Sequence, residues 1–220
     1  MKNIKAILFD VDNTLVFGEK AGFFYRKYSE VLEEVLACEL GIPAERGRLI
    51  ADDYRLRFNG QGEKAFEMMN IGMEKWYDAI LSLDPGDYLE PMDGSAEILS
   101  ALKKRGFIIG AITDGPTPQA KRILSSAKID ENIFDVFIGW ERGKMMPKGG
   151  STEIFEKIIA ELGISSNEAV MVGDSLRVDV LPAIASGLKA IHIGQAEDEK
   201  QENEWITIDS IKDLIKILNI

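Results

Sequence analysis

Ala6-Ile7-Leu8-Phe9-Asp10-Val11-Asp12-Asn13-Thr14 places four apolar residues directly before two aspartates one residue apart. Four successive apolar positions suit a short strand covered on both faces, as in a parallel sheet flanked by helices. The acid at its end then has a destination, because ligands of open α/β sheets bind outside the carboxyl ends of the strands. The pattern recurs twice. Phe107-Ile108-Ile109-Gly110-Ala111-Ile112 runs into Thr113-Asp114, and Ala169-Val170-Met171-Val172-Gly173 runs into Asp174. One such residue alone reads equally well as a turn or a helix cap. Three strands delivering Asp10, Thr113 and Asp174 to one edge read as a site.

Further short apolar runs lie at Val136–Ile138, Ala190–Ile193 and Trp205–Ile208. Helical patterns fill the gaps at Asp93–Lys104, Pro118–Ala127, Thr152–Leu162, Leu176–Ser186 and Ser210–Leu218. Strand–helix alternation of this kind predicts an α/β fold with a parallel sheet. One region breaks it. From Phe17 to about Leu89 the pattern is helical throughout, with Phe24, Tyr28, Val31, Leu32, Val35 and Leu36 on a first helix. Pro43 opens a second, and a third carries Phe66, Met69, Met73, Trp76 and Ile80 before the turn Asp84-Pro85-Gly86-Asp87. The expected organisation is a core of residues 1–16 and 90–220 interrupted by a helical insert, 17–89.

Composition narrows the function classes. The 220 residues are 45% hydrophobic and 29% charged, which excludes disorder and a collagen-like repeat. The net charge of −11 makes nucleic acid and anionic membranes poor partners. No apolar run approaches the ~18 residues of a membrane span. Met1–Lys5 leads straight into the first strand without the apolar stretch of a signal peptide. Cys38 is the only cysteine, so no intramolecular disulfide forms, and a reducing, cytoplasmic setting fits.

Two carboxylates as close as Asp10 and Asp12 do not both ionise cheaply without a cation. Magnesium suits them, since it takes oxygen ligands and often shares them with phosphate. Gly173-Asp174-Ser175-Leu176-Arg177-Val178-Asp179 supplies further oxygens through Asp174 and Asp179. One carboxylate can then attack while a second moves a proton.

In these motifs the chain resembles the haloacid dehalogenase superfamily of hydrolases, specifically its phosphatases with a helical cap, over nearly its whole length. The apolar strand with Asp-x-Asp-x-Thr is met by Ile7–Thr14, and the strand ending in Thr or Ser by Thr113. Lys148 fits the lysine ahead of a helix; Gly173, Asp174 and Asp179 fit Gly-Asp-x-x-x-x-Asp. The resemblance implies a Rossmann-like parallel-sheet core with an inserted all-helical cap. It implies Asp10 as nucleophile, forming an aspartyl-phosphate, and Asp12 as the proton donor and acceptor. It places Thr113, Asp114 and Lys148 on the phosphoryl group of a small phosphorylated substrate. Magnesium falls to Asp10, the backbone carbonyl of Asp12 and Asp174, with Asp179 close by. A dehalogenase or phosphonate hydrolase would lack the second aspartate; a phosphosugar mutase would share it, and a binding protein of low turnover would keep the whole set.

The chain departs from the family pattern twice. Many relatives have Asn where Asp114 stands, and an acidic side chain directed at the site would repel phosphate. The lysine motif is irregular, Lys144-Met145-Met146-Pro147-Lys148-Gly149-Gly150. Lys148 is preferred to Lys144 because it lies nearer the helix, with two glycines that let the backbone approach and turn. Other features take plain readings. Gly60-Gln61-Gly62-Glu63-Lys64-Ala65 follows no strand and reads as a link between cap helices rather than a dinucleotide fingerprint. Gly139–Lys144 is one residue short of a phosphate-binding loop. His192 reads as structural, Met68, Met69, Met73 and Trp76 as cap core, and Cys38 as inert on an apolar helix face. Glu197–Glu204 reads as a solvated loop. Arg26, Arg55, Arg57 and residues 59–64 are polar candidates for substrate selection.

Overall fold

Ala6–Phe9 forms strand β1, every residue of it buried, at the centre of a six-stranded parallel sheet. The computed structural model describes residues 1, 3–58, 60–148, 151–194 and 205–218. The other sheet strands are β4 (Ile108–Pro116), β5 (Val136–Trp140), β6 (Ala169–Gly173), β7 (Lys189–Ile193) and β8 (Ile206–Ile208), in the order β5-β4-β1-β6-β7-β8. The chain builds outward from β1 on one side, then crosses to β6 on the other. That reversal opens the crevice in which α/β sheets hold their ligands.

Register decides what meets there. Phe9 stands level with Ala111 of β4 and with Val172 of β6. The residues that follow all three emerge at one edge. Apolar faces hold the sheet between helices, as continuous apolar strands require. Ala6, Leu8, Ile112, Ala169 and Met171 pack against Phe155 and Ile158 of α7 (Glu153–Leu162) and Ala183 of α8 (Leu181–Ala185). Helices α5 (Ser95–Lys104), α6 (Thr117–Ser126) and α9 (Leu214–Leu218) complete the alternation.

The chain divides into two compact units, Met1–Gly18 with Leu89–Ile220, and Glu19–Tyr88. At the edge of the first unit, β2 (Val16–Phe17) pairs antiparallel with β3 (Glu90–Pro91). Phe17 therefore belongs to a strand rather than to the helical stretch that the sequence suggests.

The second unit consists of α1 (Ala21–Leu40), α2 (Ala44–Arg57), α3 (Lys64–Met68) and α4 (Glu74–Ser82), with a short turn at Gly86–Tyr88. Gly47 lets α1 and α2 come together, since a Cβ there would lie 2.5 Å from the Glu33 carbonyl oxygen. Phe24, Leu32, Leu36, Phe66, Trp76 and Ile80 form its interior, with the Phe66 and Trp76 rings stacked at 5.8 Å. Two expectations fail here. Met68 and Met69 are exposed, not core, because Met68 lies about 200° around α3 from buried Phe66 and α3 ends before Met69 returns. Cys38 is likewise exposed, two positions round from buried Leu36, and does not lie on the apolar face. Arg55 is tied to Glu33 and Asp52, each at 2.8 Å, and Arg57 to Asp53. Among the described residues no helix is long and apolar enough to cross a membrane. Gly149, Gly150, Asn59 and Glu197–Glu204 lie outside the described residues.

Candidate active site

Asp10 leaves β1 with its backbone N–H donating to the Val172 carbonyl at 2.9 Å, so β6 fixes the start of the aspartate loop. The loop then doubles back. Leu15 and Val16 both donate to the Val11 carbonyl, and Asn13 takes a left-handed φ of 58°, which Asn tolerates better than most residues. This tight turn buries Thr14, whose hydroxyl donates to Asp10 Oδ2 at 3.4 Å. Asp12 is only partly buried, and the Thr113 hydroxyl donates to its Oδ2 at 3.4 Å. Thr113 does not end its strand. β4 runs on to Pro116 through a register shift, with Pro116 paired to Trp140.

Asp174 and Asp179 follow β6. A single π turn at Leu176–Val180, with Val180 N–H donating to the Ser175 carbonyl five residues back, replaces the expected start of a regular helix. It brings Asp179 over the strand end, where its Oδ2 accepts from Ser175 N–H at 3.1 Å. Gly173 makes room, because a Cβ there would collide with the Asp179 carboxylate. One carboxylate oxygen from each of Asp10, Asp174 and Asp179 lies within 4.8 Å of the other two. The Asp12 carboxylate is not in this group.

Lys148 enters the same space. Its ammonium donates to Asp10 Oδ1 at 2.5 Å and to Asp179 Oδ1 at 2.7 Å, and the side chain is buried. Lys144 is exposed, and its carbonyl accepts from Trp140 Nε1 at 2.8 Å. Asp114 turns its carboxylate to the Lys148 backbone, accepting from that N–H at 2.7 Å.

The charges are unbalanced. Burial pushes the Asp10 carboxyl well above the usual range; Lys148 opposes this, and Asp179, Asp12 and Asp174 add to it. Burial and then Asp179 lift Asp174 to about 6, against Lys148 and a hydrogen bond from Asn13. Burial alone would push the Lys148 ammonium down, but Asp10, Asp179 and Asp114 outweigh it and hold the lysine charged. One lysine thus faces three clustered carboxylates. An all-oxygen donor set with excess negative charge fits a hard divalent cation.

Residues 4–187 match the model of the family described as haloacid dehalogenase-like hydrolases. The chain belongs to the haloacid dehalogenase-like hydrolases. Its relatives in this family include the glyceraldehyde 3-phosphate phosphatase of Pyrococcus furiosus, 28% identical over 87% of this chain and 81% of that protein. The phosphoserine phosphatase of Methanocaldococcus jannaschii is 23% identical over 99% of both chains. A crystal structure of a HAD phosphatase from Thermococcus onnurineus superposes with a TM-score of 0.69, at 25% identity over 98% of each chain. The enzyme class of this haloacid dehalogenase-like hydrolase is phosphoric monoester hydrolase.

Several residues at the site escape a motif reading. Thr14 stands in the first motif without a role assigned from sequence, and its burial against Asp10 is what gives it one. Ser175 acts through its backbone amide, and Asn13 through the turn and a side-chain hydrogen bond to Asp174. His192 Nε2 lies 3.0 Å from the Asp174 carbonyl. A carbonyl only accepts, so Nε2 carries the hydrogen, and the structural reading of this histidine includes support of the Asp174 loop.

Proposed function

We propose that the protein is a magnesium-dependent phosphatase that releases inorganic phosphate from a small phosphorylated metabolite through an aspartyl-phosphate on Asp10. The observation that carries this reading is the buried Lys148 ammonium bridging Asp10 and Asp179. It sets a fixed positive charge where a transferring phosphoryl group would develop negative charge.

In the first step an Asp10 oxygen attacks phosphorus, the bond to the leaving oxygen breaks, and Asp12 supplies the proton that oxygen needs. In the second, Asp12 takes a proton from water, whose oxygen attacks phosphorus, frees Asp10 and yields phosphate. Thr113, which faces Asp12, and the backbone amide of Asp114 hold phosphoryl oxygens with Lys148. Asp10, Asp174 and the backbone carbonyl of Asp12, with Asp179 beside them, would hold magnesium, whose charge when bound offsets that of the phosphoryl group. The helical unit Glu19–Tyr88 serves as the cap that selects substrate. Relatives named for glyceraldehyde 3-phosphate and phosphoserine support a compact substrate with a single phosphate. A lone cysteine, which can form no disulfide within the chain, supports a cytoplasmic setting.

A phosphosugar mutase would share Asp10 and Asp12, but needs a cap group that times the proton shuttle. The only histidine, His192, is in the sheet against the Asp174 carbonyl, which favours hydrolysis. The test is a panel of phosphorylated metabolites, glyceraldehyde 3-phosphate and phosphoserine among them, assayed with and without magnesium. Free phosphate is expected. An isomerised sugar phosphate with little phosphate released would establish the mutase instead.

A further inference from the structure

Lys148 lies between β5 and α7, and the described residues 141–148 that lead to it form no helix or strand. A lysine side chain has four rotatable carbons, so where its ammonium goes depends on what holds its backbone. Its ammonium is nonetheless fixed between two carboxylates. Among the hydrogen bonds that restrain residues 141–148, two bear on the lysine. Trp140, buried at the end of β5, donates through Nε1 to the Lys144 carbonyl at 2.8 Å. At the lysine itself, the buried backbone N–H donates to Asp114 Oδ1 at 2.7 Å. Asp114 sits on β4, one residue after Thr113. In this part of β4, where the register shifts, the Thr113 hydroxyl meets Asp12 while the Asp114 carboxylate meets the lysine backbone.

We infer that Asp114 is a positioning residue, its carboxylate clamping the Lys148 backbone to β4 so that the ammonium reaches Asp10 and Asp179. A carboxylate accepting from an N–H makes a stronger bond than a neutral acceptor. A buried amide that loses its partner also bears the full cost of desolvation. The acidic side chain that would repel phosphate if aimed at the phosphoryl group is instead engaged on the lysine backbone. This assignment goes beyond the contact with substrate that the motif implies, and it rests on the reading of Lys148 as the phosphoryl-binding lysine.

The test compares Asp114→Ala with Asp114→Asn, whose amide oxygen can still accept the hydrogen bond. Amide hydrogen exchange is read at Lys148 without substrate, and hydrolysis of p-nitrophenyl phosphate is measured with magnesium. In Asp114→Ala the Lys148 amide should exchange about tenfold faster or more, the scale of a lost charge-assisted bond. Its kcat/KM should fall about 10²-fold, as a misplaced catalytic group costs. Asp114→Asn should restore both to within about threefold of wild type, given the retained acceptor. Unchanged exchange in Asp114→Ala would overturn the inference. So would faster exchange with unchanged hydrolysis, or an Asp114→Asn protein as impaired as Asp114→Ala. A wild-type protein that hydrolyses no phosphomonoester would sink the phosphatase reading alone, with the exchange data still deciding the clamp.

Discussion

Lys148 and Asp10, 138 residues apart in the chain, meet through Nζ and Oδ1 at 2.5 Å in a buried pair. The pair orders the expectations for the two lysines of the irregular motif. Lys148→Ala should lower kcat/KM by at least about 10²-fold, the usual loss when one contact to a developing charge is removed. Lys144→Ala should cost little, since Lys144 is exposed and offers the fold its carbonyl, which alanine keeps. Steady-state kinetics on both variants checks this; a crippled Lys144→Ala beside a mild Lys148→Ala would reverse the assignment.

Asp10→Asn is nearly isosteric and should abolish turnover with the far-UV circular dichroism unchanged. Asp12→Ala should retain the fold and lose about 10²–10⁴-fold, the range of a general acid–base. Residual activity in Asp10→Asn close to wild type would rule out a covalent intermediate on that residue.

Asp174 gives the pH dependence its sign. Its carboxyl is raised from 3.8 to about 6 in the folded protein. Between those values the folded state binds more protons than the unfolded one, so this group's contribution to stability falls as pH rises through that window. A divalent cation held by the ionised cluster, as proposed, would oppose the loss. The Tm gain from magnesium over chelator should therefore be larger at pH 7 than at pH 5, and small at both in Asp174→Asn. Thermal melts at the two pH values measure it. An equal gain at both in wild type would remove Asp174 from the metal site.

Gly173→Ala tests the crowding at the end of β6. Its new methyl group meets the Asp179 carboxylate. Asp179 must then move, loosening its bonds to Ser175 N–H and Lys148. A loss of about 1–3 kcal/mol is expected, as for overpacking elsewhere, with a fall in kcat. Urea denaturation and kinetics read the two effects; a variant matching wild type in both would show that the strand end is slack.

The parts of this architecture that sequence reveals are those written in runs. Ala6–Phe9 before Asp10 and Ala169–Gly173 before Asp174 declare both a buried strand and what it carries. Pairings without a run stay hidden. Val16–Phe17 and Glu90–Pro91 are too short for any period, and each finds its partner only across the whole helical unit. The π turn at Leu176–Val180 inserts one residue into a pattern that still reads as helical. Met68 looks apolar enough for a core, but a five-residue helix cannot keep it on one face with Phe66. Side-chain direction at Asp114 depends on a loop that closes over it from further along the chain.

The central position of β1 also sets when activity can arise. Ala6–Phe9 leaves the ribosome well before its neighbours in the sheet, Ile108–Ala111 and Ala169–Val172. Such non-local pairings close late and slowly. Until β6 is made, a wholly apolar strand waits without one of its partners, a hazard for association between nascent chains. Asp10 likewise waits, since Lys148, Asp174 and Asp179 are all synthesised after it. A chain halted before Gly173 holds Asp10, the proposed nucleophile, without Asp174 and Asp179, so prematurely terminated translation products would be inert toward cellular phosphate esters.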